Sequence, residues 1–419
     1  MTSSWALLYY SHFAVFLKSF AIFDIDQNFK RVKNNIVYHT VIILAFLTCQ
    51  LSGRGQEPGK ENQGDTTTVA ADTISKFDAT NAKMEKLFKI IPVPLYSYST
   101  EAGHTFGLAK FNLIDLSKND TISSASKISE VLTFSTLGRV NVSVSTELNW
   151  HNGRYMVMGY INYKQQPEYM LGIGNDVSIE DVEQVSFTRL KFVNYGLIQA
   201  VKNLYLGIGV DLTNYTNIEY DSTSFLVEDN VPGIEGGTST GLGFAAIYDS
   251  RDNRYNAYKG FFAAFKTMTF PSWMGNPYLY SSYNLDLRTY INPWYKHVIA
   301  FQATTAYRTG DVPFYELALM GGEDQMRGYY KGALRDDVLV DCQMEYRMPV
   351  WKIFGITGWI GTGRVSDSYS NLSFDGFWLS YGGGLRIKVD SAHNTNLRLD
   401  WGFGPNGVNG FYINFAEAF

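Results

Sequence analysis

A repeated alternation of apolar and polar side chains, sustained from about residue 100 onward, is the feature that most constrains the fold of this chain. In VLVDCQMEYRM (338–348) every second residue is apolar, and the residues between them are polar or charged apart from Leu339. The same alternation recurs in FWLSYGGGLRIKV (377–389) and in NLRLDWGF (396–403). A period of two is typical of β-strands with one apolar and one polar face. The sequence therefore predicts an all-β protein.

The number of strands decides between a soluble sandwich and a membrane barrel. Fifteen segments of this kind are recognisable between residues 102 and 418, and sheets of that length curl, split or close. Aromatic residues make up 16% of the chain, and several lie at strand ends, among them Trp294, Tyr295 and Trp351. We therefore predict a transmembrane antiparallel β-barrel. Because bacterial single-chain barrels have even strand numbers, we expect sixteen strands, with one unrecognised near Tyr169–Gly174; fourteen is the alternative.

The first 94 residues carry signals of export rather than of the barrel itself. A basic segment at 30–33 precedes the apolar run Ile36–Leu47, which predicts a signal peptide over 1–55 with cleavage after Gly55. Residues 1–31 are then interpreted as an extension upstream of the true start of translation. Alternatively, residues 5–23 could be a membrane helix, and Cys49 could be a lipidation site. Residues 56–94 are predicted to be a linker and an amphipathic helix (73–91), and residues 95–419 the barrel.

Composition and missing motifs argue against several classes of function. The net charge of −5 disfavours nucleic acid as a partner. Of the two cysteines, Cys49 lies in the signal segment, so Cys342 is predicted to be a small side chain facing the membrane. The sequence has no GxSxG elbow, no HExxH and no clustered Cys/His set. We therefore predict no enzymatic activity, no cofactor and no metal site.

The segment 310–337 is too long to be only a connection between strands. It contains a glycine pair and then a Met–Arg–Gly–Tyr run, at Gly321, Gly322, Met326, Arg327, Gly328 and Tyr329. An arginine inside a barrel needs a partner, because an unpaired desolvated charge is costly. The next strand offers Glu345 on its polar face. We predict that the segment folds into the lumen and is held there by Arg327 and Glu345.

These motifs, in this order, resemble the Omp85 superfamily of BamA/TamA-like outer-membrane barrels over about residues 95–419. The Met–Arg–Gly–Tyr run matches the tip of the family's long sixth loop, and EYRMP (345–349) matches the strand that follows it. The segment GLGFAAIYDSRDNRYNAYKG (241–260) is similar to the family's hairpin, on Asp249, Arg251, Asp252 and Gly260. The final segment GFYINFAEAF (410–419) resembles the family's C-terminal insertion signal, carried by Phe411, Phe415 and Phe419.

The resemblance also defines two departures from the family pattern. Relatives carry an aspartate where this chain has Gly361, so we expect the loop to depend on Glu345 alone or to be held more loosely. Too few residues precede the barrel for POTRA domains, so the chain looks like a short POTRA-less member of the kind found in Bacteroidota. Further charges are expected in the lumen, at Asp341, Arg347, Arg386 and Arg398.

The function that the resemblance implies is outer-membrane biogenesis in the bacterial cell outer membrane. The barrel would insert or translocate proteins or lipids through a weak seam between its first and last strands. The alternatives are a passive channel or transporter, and a structural barrel that binds partners in an envelope complex. Expected partners are outer-membrane lipid or lipopolysaccharide, and either envelope-biogenesis subunits or a second copy of the chain.

Overall fold

The computed structural model describes residues 92–419 apart from gaps at 100–102, 115, 117–122, 178–181, 229 and 392. The regular secondary structure of this part is almost entirely β-strand, with one short helix, α1 (Phe225–Glu228), and three short 3-10 turns. The strands are β1 (Val93–Ser99), β2 (Gly103–Ile114), β3 (Ser126–Ser135), β4 (Val140–Trp150), β5 (Tyr155–Met170), β6 (Glu183–Val201), β7 (Leu204–Glu219), β8 (Gly237–Asp249), β9 (Gly260–Phe270), β10 (Tyr280–Ile291), β11 (Val298–Gly310), β12 (Ala318–Met320), β13 (Leu334–Asp336), β14 (Val338–Trp351), β15 (Phe354–Ser366), β16 (Trp378–Asp390), β17 (Thr395–Phe403) and β18 (Asn409–Phe415).

Sixteen of these strands form a single antiparallel sheet in chain order, with β11 pairing directly to β14. The two short strands β12 and β13 pair only with each other, inside the connection between β11 and β14. The sheet curls into a nearly closed barrel that brings β18 beside β1. The predicted all-β class and the count of sixteen strands are therefore confirmed.

The strand that sequence analysis missed is β1, and the expected position near Tyr169–Gly174 is wrong. That segment belongs partly to β5, which runs to Met170. The true first strand, VPLYSYS, begins two residues before the predicted start of the barrel. Its Pro94 resembles a helix terminator in the sequence, yet proline is tolerated in a strand at the edge of a sheet.

Strand alternation divides the barrel wall into an apolar outside and a polar inside. Large apolar side chains stay exposed on the outer face; Ile208 is 76% exposed and Leu190 53%. Polar side chains such as Asn162, Asp211 and Asp400 are buried on the inner face. Cys342 is also exposed, on the outer face. An outer apolar belt around a polar interior is the arrangement expected of a barrel that spans a bilayer.

The two ends of the barrel differ in their connections. Two-residue turns at 202–203 and 352–353 lie at one end, which we call the turn end. The long connections, including 311–337, lie at the other, which we call the loop end. Outer-membrane barrels place short turns in the periplasm and long loops outside the cell.

The predicted signal peptide, linker and amphipathic helix (73–91) lie outside the described residues. Within the described part, no helix has the length and apolar character that crossing a bilayer requires.

Candidate functional site

The connection 311–337, here called the lumen loop, folds back into the barrel. Met326 and Tyr329 are 1% and 2% exposed, and Arg327 is fully buried. The apolar residues between Ala318 and Leu334 pack in one cluster with Leu339 and Val365 of the wall, and the first apolar residues of the loop, from Val312 to Leu317, belong to a second cluster. The tip of the loop is therefore enclosed by the barrel, as the sequence predicts.

Glycine is required at the bends of this loop. Gly321 and Gly322 have φ of 98° and 130°, and Gly328 has φ of 112°, a region that other residues rarely adopt. A Cβ on Gly321 would lie 2.5 Å from the carbonyl oxygen of Tyr330. A Cβ on Gly328 would lie 2.9 Å from the backbone nitrogen of Phe403. The loop can turn tightly against the wall only with glycine at these positions.

Arg327 is paired with two carboxylates rather than one. Its Nη2 lies 2.6 Å from Glu345 Oε2, and its Nη1 lies 2.7 Å from Asp400 Oδ2. The three side chains have no solvent exposure. The guanidinium also stacks on Trp359, with Cζ 3.7 Å from the ring centroid. We call Arg327, Glu345 and Asp400 the lock, since together they fix the loop to two strands.

The expectation that Glu345 would act alone is therefore wrong. Gly361 does lack a carboxylate, but Asp400 on β17 supplies the second one. The alternation in NLRLDWGF had already placed Arg398, Asp400 and Gly402 on one polar face. What the sequence could not supply was the curvature of the sheet, which brings β17 opposite the loop tip.

The backbone of the loop tip is held as well as its side chain. Ser380 Oγ on β16 donates to the Arg327 carbonyl at 2.6 Å. The Gly328 N–H donates to Tyr412 Oη on β18 at 3.0 Å. Tyr329 Oη donates to the carbonyl of Leu379 at 2.7 Å. With the lock, these bonds connect the tip to β14, β16, β17 and β18.

The lock is part of a larger network of ion pairs. Arg386 Nη1 lies 2.5 Å from Asp400 Oδ1, and Arg386 Nε lies 2.6 Å from Glu417 Oε2. Arg347 Nε lies 2.8 Å from Glu345 Oε1. Arg398 Nη2 pairs with Asp324 of the loop at 2.9 Å. Three of the four predicted lumen charges thus meet in one place, around the lock.

The fourth predicted charge, Asp341, lies apart from this network. Its Oδ2 accepts a hydrogen bond from Thr304 Oγ1 at 2.7 Å. No ion pair to Asp341 is found within the described residues.

The last four residues leave the sheet and turn into the lumen. Ala416 has φ of 66°, and its N–H donates to the carbonyl of Asn396. Glu417 then reaches Arg386, while Arg347 Nη2 donates to the main-chain oxygen of Phe419 at 2.7 Å. We call residues 416–419 the tail. The predicted final strand, 409–418, is therefore shorter than expected.

The three aromatic residues predicted as an insertion signal lie in different surroundings. Phe411 is 36% exposed on the wall. Phe415 is buried at the seam, with its ring centroid 4.2 Å from that of Phe111. Phe419 is 4% exposed and packs in a cluster with Tyr290 and Ala300.

The turn 250–259 lies across the turn end of the barrel. Asp249 and Arg251 form a two-point ion pair, with both N–O distances at 2.9 Å. Asn253 Nδ2 donates to the carbonyl of His393 at 3.0 Å, and Tyr255 Oη donates to that of Ala125 at 2.8 Å. The Glu417 N–H of the tail also donates to the carbonyl of Tyr255, so the turn contacts the tail as well as two other connections at this end. The charged and polar residues of this turn therefore stabilise the turn end of the barrel.

No group of three or more potential metal ligands is found within the described residues.

Comparison with known proteins gives one family and several structural likenesses. A family model described as the Omp85 superfamily domain matches residues 139–419. Solved structures similar to this chain include BamA from Haemophilus ducreyi lacking POTRA domains 1–3, with a TM-score of 0.49, 15% identity, and coverage of 77% of this chain and 69% of that one. CdiB from Acinetobacter baumannii has a TM-score of 0.47 and 12% identity, covering 77% of this chain and 58% of that one.

A third similar structure is Wzi from Escherichia coli, described as a carbohydrate-binding β-barrel involved in group 1 capsule assembly. It has a TM-score of 0.36 and 10% identity, and covers 81% of this chain and 87% of that one. No curated protein matches the sequence.

Proposed function

The chain belongs to the Omp85 superfamily, and from that premise we propose that it assists outer-membrane biogenesis. In this proposal proteins or lipids are inserted or translocated through a weak seam between β1 and β18, in the bacterial outer membrane. The protein carries out no bond-making chemistry of its own. Its partners are membrane lipid or lipopolysaccharide on the outside, with envelope-biogenesis subunits or a second copy as further candidates.

The state of the seam is the observation that carries the proposal. Every pair of neighbouring strands from β1 to β18 in the main sheet shares a ladder of backbone hydrogen bonds. Across the described residues β1 and β18 share none, although they lie side by side. The seam is held instead by apolar packing of Val93 on β1 and Phe111 on β2 against Phe415 on β18. Unpaired backbone groups in hydrocarbon are costly, so this edge favours pairing with an incoming strand.

The lock determines which side of the seam can move. Contacts from the loop tip fix β14, β16, β17 and β18. The strand β1 is held by its ladder to β2 and by the apolar cluster at Val93. Opening the seam would therefore displace β1 rather than β18, since moving β18 would break buried polar contacts.

A crosslink across the seam tests the proposal. In a Cys342→Ser background, Val93→Cys and Phe415→Cys are joined by oxidation or by a short bis-maleimide. If the seam must open, crosslinking should abolish rescue of cells depleted of the wild-type protein, measured as their content of outer-membrane proteins and lipopolysaccharide. Reduction of the disulfide should restore it.

The controls separate a closed seam from a damaged barrel. Each single cysteine variant should rescue normally. So should a crosslinked Thr133→Cys/Asn141→Cys pair, because these residues are already ladder partners in β3 and β4. Full rescue by a protein with a crosslinked seam would reject the mechanism.

A passive channel is the second candidate, favoured by the polar lumen. The inserted loop and the ion-pair network oppose a wide pore. Planar-bilayer recording distinguishes the two candidates. Large, steady conductance would favour the channel, and small or flickering conductance would favour a plugged biogenesis barrel.

A further inference from the structure

Among the described residues, most lumen cations are held by carboxylates or, like Arg189 and Arg308, by neutral oxygen acceptors, but two lysines have neither. Lys164 pairs with Glu168, and Lys191 with Glu316 at 2.9 Å. Within the described residues, Lys127 on β3 and Lys266 on β9 form no ion pair and no hydrogen bond. A charged amine taken from bulk water needs compensation from a counter-charge or from polar groups. These two amines therefore mark a place where negative charge would be stabilised.

The two lysines line the same cavity. It has a volume of about 240 Å³ and lies in the lumen between β3, β4, β5, β6 and β9. Ser145 and Tyr160, which are direct ladder partners, contribute to its lining. Their hydroxyls make no hydrogen bond within the described part of the chain. Two cations and two free hydroxyls thus surround one space of several water volumes.

Packing explains how a lysine from β9 reaches this part of the lumen. The ring of Tyr195 lies over Gly209 on β7, where an added Cβ would be 2.5 Å from the ring. Lys266 Nζ lies 5.6 Å from the centroid of the same ring. Because Gly209 has no side chain, the Tyr195 ring can lie flat on the wall. The Lys266 side chain packs along this ring, with its amine at the cavity. Lys127 is placed similarly, 5.7 Å from the ring of Phe111.

Three of the nearby carboxylates are already engaged with arginines, whereas Glu323 of the lumen loop lies near Lys127 and forms no ion pair within the described residues. Glu147 lines the cavity, but its Oε1 lies 2.5 Å from Arg254 Nη1. Asp286 is held by Arg288 and also accepts from Gln302. The Asp324 carboxylate pairs with Arg398. Glu323 therefore offsets part of the charge of Lys127, while the carboxylates near Lys266 are held by arginines, so a local excess of positive charge remains.

We propose that this cavity binds a phosphate group between Lys127 and Lys266. A phosphate monoester carries about two negative charges near pH 7, which matches the two lysines. Its oxygens can accept from both amines and from the hydroxyls of Ser145 and Tyr160. The proposal does not depend on opening of the seam. The same chemistry could come from free phosphate or from a phosphorylated lipid headgroup.

The test uses the folded barrel in detergent, with inorganic phosphate as the first probe and chloride at matched ionic strength as its control. Calorimetric titration should show saturable phosphate binding. Replacing either lysine with Met should weaken it by about tenfold, the equivalent of one charge-assisted hydrogen bond. Lys202→Met, at an exposed turn lysine, should bind as the wild type does. Lys127→Arg/Lys266→Arg keeps both charges and should retain binding if the Met variants fail to fold.

A second probe identifies the source of the phosphate. Nanodiscs containing phosphatidic acid are compared with nanodiscs of phosphatidylcholine alone, by the thermal midpoint of the barrel. Stabilisation by phosphatidic acid, lost in the double Met variant, would assign a lipid headgroup. Binding of inorganic phosphate without that effect would assign the free ion. If neither probe gives an effect that depends on the lysines, the proposal is overturned.

Discussion

Arg327 and Asp400 form an ion pair of 2.7 Å between the tip of the lumen loop and the strand β17, 73 residues further along the chain. The surrounding network contains four arginines and four carboxylates: Arg327, Arg347, Arg386 and Arg398 with Asp324, Glu345, Asp400 and Glu417. The charges in this network therefore cancel. A buried network of this kind is tolerated only when its members are matched.

Removing Arg327 should be the most damaging single change at the lock. In Arg327→Ala the buried carboxylates of Glu345 and Asp400 each lose one arginine partner while Arg347 and Arg386 remain, and breaking buried ion pairs costs roughly 3–5 kcal/mol. The variant should unfold at lower urea concentration and lose the heat-modifiable mobility of the folded barrel. Arg154→Ala, at an exposed arginine in a turn, serves as the control and should behave like the wild type. Wild-type behaviour of Arg327→Ala would reject the lock.

Both carboxylates of the lock should contribute to the stability of the folded barrel. Glu345→Gln and Asp400→Asn should each lower the free energy of unfolding, because each removes one ion pair with Arg327. In a double-mutant cycle of Arg327→Met with Asp400→Asn, the two effects should be strongly non-additive. If Asp400→Asn leaves the free energy of unfolding unchanged while Glu345→Gln lowers it, the loop would depend on Glu345 alone after all.

Local patterns in the sequence were sufficient for the strands and the loop tip, but not for contacts across the barrel. The alternation in 338–348 correctly placed Glu345 and Arg347 on the inner face and Cys342 on the outer face. Asp400 also belonged to a recognised polar face, yet its partner was not predictable. Which two inner faces meet depends on the curvature of a sixteen-stranded sheet, and no short window of sequence encodes that.

Three other features were missed, each for its own physical reason. The strand β1 contains Pro94, and the unpaired edge on which that proline is tolerated exists only once the sheet is assembled. The tail leaves β18 at Ala416, where a positive φ at a residue other than glycine gave no signal in the sequence. Trp359, which stacks on Arg327, likewise had no pattern to distinguish it from other wall aromatics.

Gly402 should be essential for insertion of the loop. A Cβ at this position would lie 2.6 Å from the Arg327 carbonyl carbon and 2.7 Å from the Gly328 nitrogen. Both are backbone atoms, which cannot move away by a change of rotamer. Gly402→Ala should therefore displace the loop tip or lower the free energy of unfolding by roughly 1–3 kcal/mol through overpacking. Protease should then cleave the loop in the folded barrel. Gly358→Ala, where the Cβ meets only the Gly382 oxygen at 3.8 Å, should remain resistant; equal cleavage of both would contradict the prediction.

The tail should be coupled to the lock through Arg386. This arginine joins Asp400 of the lock to Glu417 of the tail and also lies 3.8 Å from Glu345, so Glu417→Gln removes one of its three carboxylate partners. We expect faster hydrogen exchange in the tail and also at the Gly328 amide, which bonds Tyr412. Glu219→Gln, at the exposed end of β7, is the control. Exchange that changes in the tail but not at Gly328 would show that the two are independent.

Asp337, in the loop just before β14, should make the stability of the barrel depend on pH. Burial raises the pKa of this carboxyl to about 6, and the neighbouring Asp336 and Asp367 act in the same direction while Arg308 opposes them. Because the folded pKa lies above the ordinary value of 3.8, the protonated form is favoured by folding. Its contribution is fully present below about pH 4 and is lost as the pH rises through about 6.

Asp337→Asn removes this titration and keeps the shape of the side chain. The thermal midpoint of the variant, followed by tryptophan fluorescence in detergent, should exceed that of the wild type more at pH 8 than at pH 4. The difference should develop mainly between pH 4 and 7, since the wild-type carboxyl loses its proton there against burial and against two neighbouring acids. Asp375→Asn replaces an exposed acid in the loop 367–377. Its thermal midpoint should differ from that of the wild type by the same amount at every pH. A flat profile for Asp337→Asn would mean that Asp337 is solvated in the folded barrel.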